Sequence, residues 1–125
     1  MADKDQNNKE SVFEERRKFL RLNINVDIKY AVLPSSDNHS GSSRNISAGG
    51  ICIITHEELL PGDRLKLDIS LPDDPSMIQT IGQVVWTKTF SIAGEGKNRY
   101  DVGVEFIDIS DEERGKIKKY VFSLS

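Results

Sequence analysis

Apolar side chains recur at every second position in several short stretches of this chain, which is the period of a half-buried β-strand. The first stretch runs from Ile24 to Val32 and ends before Pro34. Further apolar or alternating segments lie at 51–55, 65–71, 78–90 and 100–107. Ser35 to Ser43 is rich in Ser, Asp and Asn, which is typical of a turn-rich connection. The pattern therefore predicts five or six short strands.

The period of the apolar positions changes near the end of the chain. Ser110 and Glu113 have the spacing of a capping box, which marks the start of a helix. Apolar side chains then follow at i, i+3, i+4 and i+7: Ile117, Tyr120, Val121 and Leu124. The order of elements predicts an all-β fold with one C-terminal helix. A small antiparallel barrel is favoured because closure removes exposed sheet edges.

The composition fits a single folded domain with a polar N-terminal tail. With 125 residues, the chain is long enough to form one hydrophobic core without disulfides or metal. We predict a flexible tail over residues 1–13 and a folded domain over residues 14–125. The chain shows no apolar leader near its start and no apolar window of membrane-spanning length, which predicts a cytoplasmic protein without membrane insertion. Cys52, the single cysteine, lies in an apolar strand and is predicted to be a buried small hydrophobe.

The densest charged cluster lies directly before the first predicted strand. Four of the six residues in Arg16-Arg17-Lys18-Phe19-Leu20-Arg21 are cationic and none is acidic. A guanidinium group can stack on a ring, and it forms forked hydrogen bonds that match O6 and N7 of guanine or the oxygens of a phosphate. Arg17 and Arg21 are four residues apart and are expected to project to the same side. Taken alone, the pattern is weak and is more typical of a solvated basic patch before the first strand.

A second cluster, Asn45-Ile46-Ser47-Ala48-Gly49-Gly50, follows about one hairpin later. Asn45 and Ser47 supply short polar side chains, and the two glycines would let a ligand approach the backbone closely. On its own the cluster is also what an ordinary turn contains.

The two clusters together, in this order, resemble the PilZ domain family. The resemblance rests on Arg17-x-x-x-Arg21 followed by Asn45-x-Ser47-x-x-Gly50. Two later segments support it, Gly82-Gln83-Val84-Val85-Trp86 and the strand over residues 100–106, so that it covers roughly residues 14–124.

The resemblance implies a six-stranded antiparallel PilZ-type β-barrel that binds cyclic di-GMP as a signalling receptor. It implies six ligand-binding residues: Arg16, Arg17, Arg21, Asn45, Ser47 and Gly50. The arginines would contact guanine and phosphate, the polar side chains of the second cluster would bond to base edges, and the glycine would keep the turn open. Where the family often has Asp, this chain has Asn45. No cofactor or metal is implied, and the output would pass to a protein partner.

Alternative functions remain open at this stage. A PilZ-fold interaction protein that binds no nucleotide would retain the same fold. A binder of single-stranded nucleic acid is disfavoured by the net charge of −3 and by the small number of aromatic side chains. An enzyme is not predicted, because Ser47 lacks partners for a catalytic triad, and His39 and His56 lack the neighbours of a zinc site. Trp86 lies in mid-strand, where a core or near-core position is favoured over stacking on a base.

Overall fold

The computed structural model describes residues 20–72, 75–92, 94 and 96–124. Arg16, Arg17 and the predicted tail over residues 1–13 lie outside the described residues. The boundary between tail and domain therefore stays a prediction.

The described residues form seven antiparallel strands in one sheet, and six of these strands close into a barrel. The strands are β1 (Arg21–Leu22), β2 (Asp27–Val32), β3 (His39–Ser47), β4 (Gly50–Thr55), β5 (Arg64–Ser70), β6 (Ile78–Ile92) and β7 (Lys97–Asp108). The sheet order is β1-β3-β2-β5-β6-β7-β4, and a further pairing of β3 with β4 closes the ring. The short β1 lies outside the ring, against the end of β3. The predicted six-stranded barrel is confirmed.

The core lies inside the ring and follows the predicted alternation most closely in β5. Leu65, Leu67 and Ile69 have no solvent exposure, whereas their neighbours along the strand are exposed or half-buried. Burying one such side chain contributes roughly 1.5–3 kcal/mol relative to leaving it in water. In β7 both faces are covered, because Asp101 and Gly103 are buried on the outer side as well.

A single helix, α1 (Asp111–Leu124), follows the last strand. Glu113 donates its backbone N–H to Ser110 Oγ at 3.1 Å, which confirms the predicted start of the helix. Glu113 Oε2 also accepts a hydrogen bond from the backbone N–H of Gln79 at 3.0 Å, which ties the helix to β6. Three residues of the predicted apolar stripe are buried: Ile117, Tyr120 and Val121. The fourth, Leu124, is 49% exposed, so the buried stripe ends one turn before the helix does.

The strand β3 corrects the prediction of a turn-rich connection from Ser35 to Ser43, since the strand begins at His39. Its sequence is mostly Ser, Gly and Asn, which carries no apolar alternation. The strand is stabilised instead by backbone pairing on both edges, to β2 on one side and to β4 on the other. A register shift between Ser43 and Asn45 further breaks the period of two.

No helix in the described part of the chain has both the length and the apolar character that spanning a bilayer requires.

Candidate ligand-binding site

The structure brings Arg21 of the first cluster against Asn45 and Ser47 of the second. The short strand β1 pairs with the end of β3, with Arg21 opposite Ser47 and Leu22 opposite Ile46. Arg21 donates a hydrogen bond from Nη1 to Asn45 Oδ1, across a separation of 24 residues in the chain. The two clusters therefore meet at Arg21 and Asn45.

A buried serine holds β1 in place. β1 and β2 follow the same edge of β3, and the short segment between them makes no regular ladder with that strand. The fully buried Ser43 fills this gap: its Oγ accepts from the N–H of Val26 at 2.9 Å and donates to the carbonyl of Ile24. The backbone N–H of Ser43 also donates to the carbonyl of Val26 at 3.0 Å. One side chain thus replaces ladder hydrogen bonds and fixes the entry of β1.

We expect Ser43→Ala to destabilise the fold and to loosen β1. The substitution would leave the buried N–H of Val26 and the half-buried carbonyl of Ile24 without their partner, at a cost of about 1–3 kcal/mol. Ser40→Ala is the matched control, because Ser40 lies on the same strand and is exposed. Urea denaturation of both variants measures the difference. Equal midpoints for the two variants would contradict the anchoring role of Ser43.

Arg21 is a cation without a described counter-ion. Partial burial lowers the pKa of its guanidinium, yet an arginine remains protonated in proteins. Among the described residues, the groups that interact with Arg21 are neutral: the Asn45 amide and the thiol of Cys52. No carboxylate within the described residues forms an ion pair with Arg21. An exposed cation whose hydrogen-bond partner is neutral is suited to bind an anionic ligand.

The neighbouring Arg44 differs, because its charge is already paired. Its Nε lies 2.7 Å from Asp101 Oδ2, and its Nη2 donates to Asp101 Oδ1 at 3.3 Å. The side chain of Asp101 is only 8% exposed, so this forked ion pair satisfies a buried carboxylate and ties β3 to β7 across β4. No sequence pattern predicts this ion pair, since the partners are 57 residues apart and Arg44 lies at the register shift.

Ser47 and Gly50 shape the hairpin between β3 and β4. Both are buried. Ser47 Oγ accepts from the N–H of Gly49 at 3.2 Å and donates to the carbonyl of Gly50 at 3.4 Å. A Cβ on Gly50 would lie 2.4 Å from the carbonyl oxygen of Val104 on the adjacent strand. The packing of β4 against β7 thus gives a structural reason for glycine here. The ligand contacts of Ser47 and Gly50 stay predictions.

An exposed aromatic side chain lies in the same row of the sheet as Asn45. Asn45 is paired with Cys52, Cys52 with Gly103, and Gly103 with Trp86, and directly opposite residues share a face. Trp86 is 46% exposed, so the prediction of a core or near-core position is wrong. A register shift after Val84 turns the indole outward, where it lies across Gly103.

Cys52 is buried, as predicted, and burial together with the Asp101 carboxylate raises the pKa of its thiol. The thiol is therefore held protonated, which does not favour a nucleophilic role. Among the described residues, no three His, Cys, Asp or Glu side chains cluster as metal ligands would. The chemistry that the site offers is hydrogen bonding, a cation and a ring surface.

The terminal helix contacts the same hairpin. Arg114 donates from Nη1 to the carbonyl of Ala48 at 2.9 Å. Beside this contact lies a groove of about 540 Å³, whose lining includes Leu20, Ala48 and Phe122. A conformational change in the hairpin would therefore be transmitted to α1 through the hydrogen bond between Arg114 and Ala48.

The PilZ domain family model matches residues 15–123 of the chain. No curated protein matches the chain significantly.

Solved structures share the fold. The structure of the inhibitor of motility MotI/DgrA from Bacillus subtilis is 23% identical, with a TM-score of 0.69 over 87% of this chain and 51% of the other. The complex of MrkH from K. pneumoniae with c-di-GMP is 18% identical, with a TM-score of 0.70 over 87% and 51%. The PilZ domain of YcgR from Escherichia coli with c-di-GMP is 16% identical, with a TM-score of 0.66 over 87% and 91%. The chain spans about half the length of MotI/DgrA and MrkH.

Proposed function

Because the chain belongs to the PilZ domain family, we propose that it is a receptor for cyclic di-GMP that signals by binding and carries out no catalysis. The observation that carries the proposal is Arg21, an exposed cation that donates to a neutral amide and has no counter-ion among the described residues. The comparisons support the ligand, since the related structures of YcgR and MrkH are complexes with c-di-GMP.

In the proposed complex the ligand lies on the outer face of the barrel beside Arg21 and Asn45. The phosphates neutralise Arg21, together with Arg16 and Arg17, which lie outside the described residues. The exposed ring of Trp86 provides a surface on which a guanine stacks. Ligand binding clamps the segment before β1 to the barrel, and the Asn45–Gly50 hairpin forms the other side of the clamp. Neither a cofactor nor a metal takes part.

We propose that a protein partner binds the surface next to β1 and α1 and recognises the ligand-bound, clamped state there. Arg114 connects the hairpin to α1, and the adjacent groove exposes the side chains of Leu20 and Phe122. The ligand can favour the clamped state only by its differential affinity for that state. The net charge of −3 disfavours DNA or RNA as the partner.

Titration with cyclic di-GMP tests the proposal. We expect a dissociation constant in the micromolar range, which corresponds to about −8 kcal/mol. Isothermal titration calorimetry measures the affinity, with GTP as the control ligand. Trp86 is the only tryptophan in the chain, so its fluorescence reports on the face directly. We expect the emission to change with the same midpoint as the calorimetric signal.

Two results would contradict the proposal. If neither cyclic di-GMP nor GTP produces heat, the chain fits a PilZ-fold interaction protein that binds no nucleotide. If cyclic di-GMP binds while Trp86 emission stays constant, the receptor function stands, but the ligand does not lie on the Trp86 face.

A further inference from the structure

The orientation of the Asn45 amide is set by Arg21. A guanidinium group has five N–H donors and no acceptor, so the side chain of Asn45 must direct Oδ1, and not Nδ2, toward it. Within the described residues, Nδ2 donates to no other group. As far as the described residues go, the half-buried Asn45 therefore presents both N–H donors of Nδ2 without a partner on the side away from Arg21.

The N–H donors of the Asn45 amide can form hydrogen bonds with purine bases that a carboxylate cannot form. Guanine offers acceptors at O6 and N7, and adenine offers an acceptor at N7 as well. An amide N–H can therefore bond to either purine. An aspartate at this position would have acceptor oxygens only, which fit the N–H groups on the Watson–Crick edge of guanine. Adenine carries an acceptor at N1 on that edge, so a carboxylate would be repelled there.

We propose that Asn45 is a specificity-determining residue that makes the site tolerant of adenine. The ligands would then include mixed cyclic dinucleotides with one guanine and one adenine, in addition to cyclic di-GMP. This inference rests on the proposed function, because it concerns the base contact within that same site.

An aspartate at position 45 would also have a second effect, which the test must separate from the first. It would form an ion pair with Arg21 and so reduce the charge available to the ligand phosphates. That loss applies to every cyclic dinucleotide alike, because their phosphates are identical. The ratio of the affinities for two cyclic dinucleotides is unaffected by this common loss, and it therefore measures the base contact alone.

The test measures the affinities of cyclic di-GMP and cyclic GMP-AMP for the wild-type chain and for Asn45→Asp by calorimetry. In the wild type we expect the two affinities to agree within about tenfold, or roughly 1.4 kcal/mol. In Asn45→Asp we expect the preference for cyclic di-GMP to rise by at least about tenfold, because an unpaired polar contact in a desolvated site is costly. Asn98→Asp is the matched control, since it adds the same charge at an exposed position on β7. It should leave both affinities and their ratio unchanged.

The outcomes separate this inference from the proposed function. If the wild type binds cyclic di-GMP more than a hundredfold tighter than cyclic GMP-AMP, the inference is overturned and the receptor function stands. The same holds if Asn45→Asp leaves the ratio unchanged. If the wild type binds neither ligand, both proposals are overturned. Should Asn45→Asp bind too weakly to measure, the wild-type ratio decides the matter by itself.

Discussion

Replacing Arg17 and Arg21 together by alanine is expected to abolish measurable binding of cyclic di-GMP while the barrel stays folded. A hydrogen bond to a charged group contributes roughly 1.5–3 kcal/mol. Losing one from each arginine removes about 3–6 kcal/mol from a total near 8 kcal/mol, which takes a micromolar affinity beyond the range of calorimetry. Arg21 lies on a two-residue strand outside the closed ring and contributes nothing to the core, so the fold should tolerate its loss.

Single variants separate the contributions of Arg17 and Arg21, and a control variant tests for a general effect of losing an arginine. Arg21→Ala tests the contact with Asn45, whereas Arg17→Ala tests a residue outside the described part of the chain. Arg64, at the start of β5, is exposed and serves as the matched arginine-to-alanine control. Arg44 is unsuitable, because its loss would leave the Asp101 carboxylate buried without its partner. Unchanged isotherms for the double variant would refute the proposed ligand site.

Much of the fold could be predicted because local pattern and tertiary role agree. β5 buries its apolar residues on one side only, so its alternation is directly visible in the sequence. The helix start depends on Ser110 and Glu113 alone, which are local to each other. β3 could not be predicted in the same way. Its stability comes from backbone pairing with two partners distant in the chain, and its side chains are too small and polar to show the period.

Motif order predicts candidate members of the site, whose ligand contacts stay predictions, but it does not predict their geometry. Arg21 and Asn45 were identified from motif order, while their contact depends on the register of β1 against β3. The residues that sequence reasoning missed lie at or beside register shifts. One extra residue in a strand reverses the facing of those that follow it, which is why Trp86 is outside the barrel. Ser43 and Arg44 lie at the register shift in β3, where alternation does not predict burial or pairing.

Gly50→Ala is expected to lower the free energy of unfolding substantially, in contrast to the same substitution at Gly115. At Gly50 the new Cβ would lie 2.4 Å from the carbonyl oxygen of Val104, a backbone atom that cannot rotate away. β4 and β7 would have to separate locally, and such overpacking typically costs about 1–3 kcal/mol, occasionally more. That is a large share of the roughly 5–15 kcal/mol by which a domain of this kind is stable.

Gly115 provides the opposite case within the same chain. It lies in the exposed part of α1, and a Cβ there would meet no atom within 4 Å. Alanine favours the helix over glycine by about 0.5–1 kcal/mol, so Gly115→Ala should raise the stability. Denaturant unfolding of the two variants measures both changes against the wild type. Gly50 pairs with Ser47 at the end of the β3–β4 hairpin, close to Asn45 in β3. Its substitution should therefore also weaken ligand binding. If Gly50→Ala were as stable as the wild type but bound cyclic di-GMP less tightly, the glycine would serve the ligand and not the packing of β4 against β7.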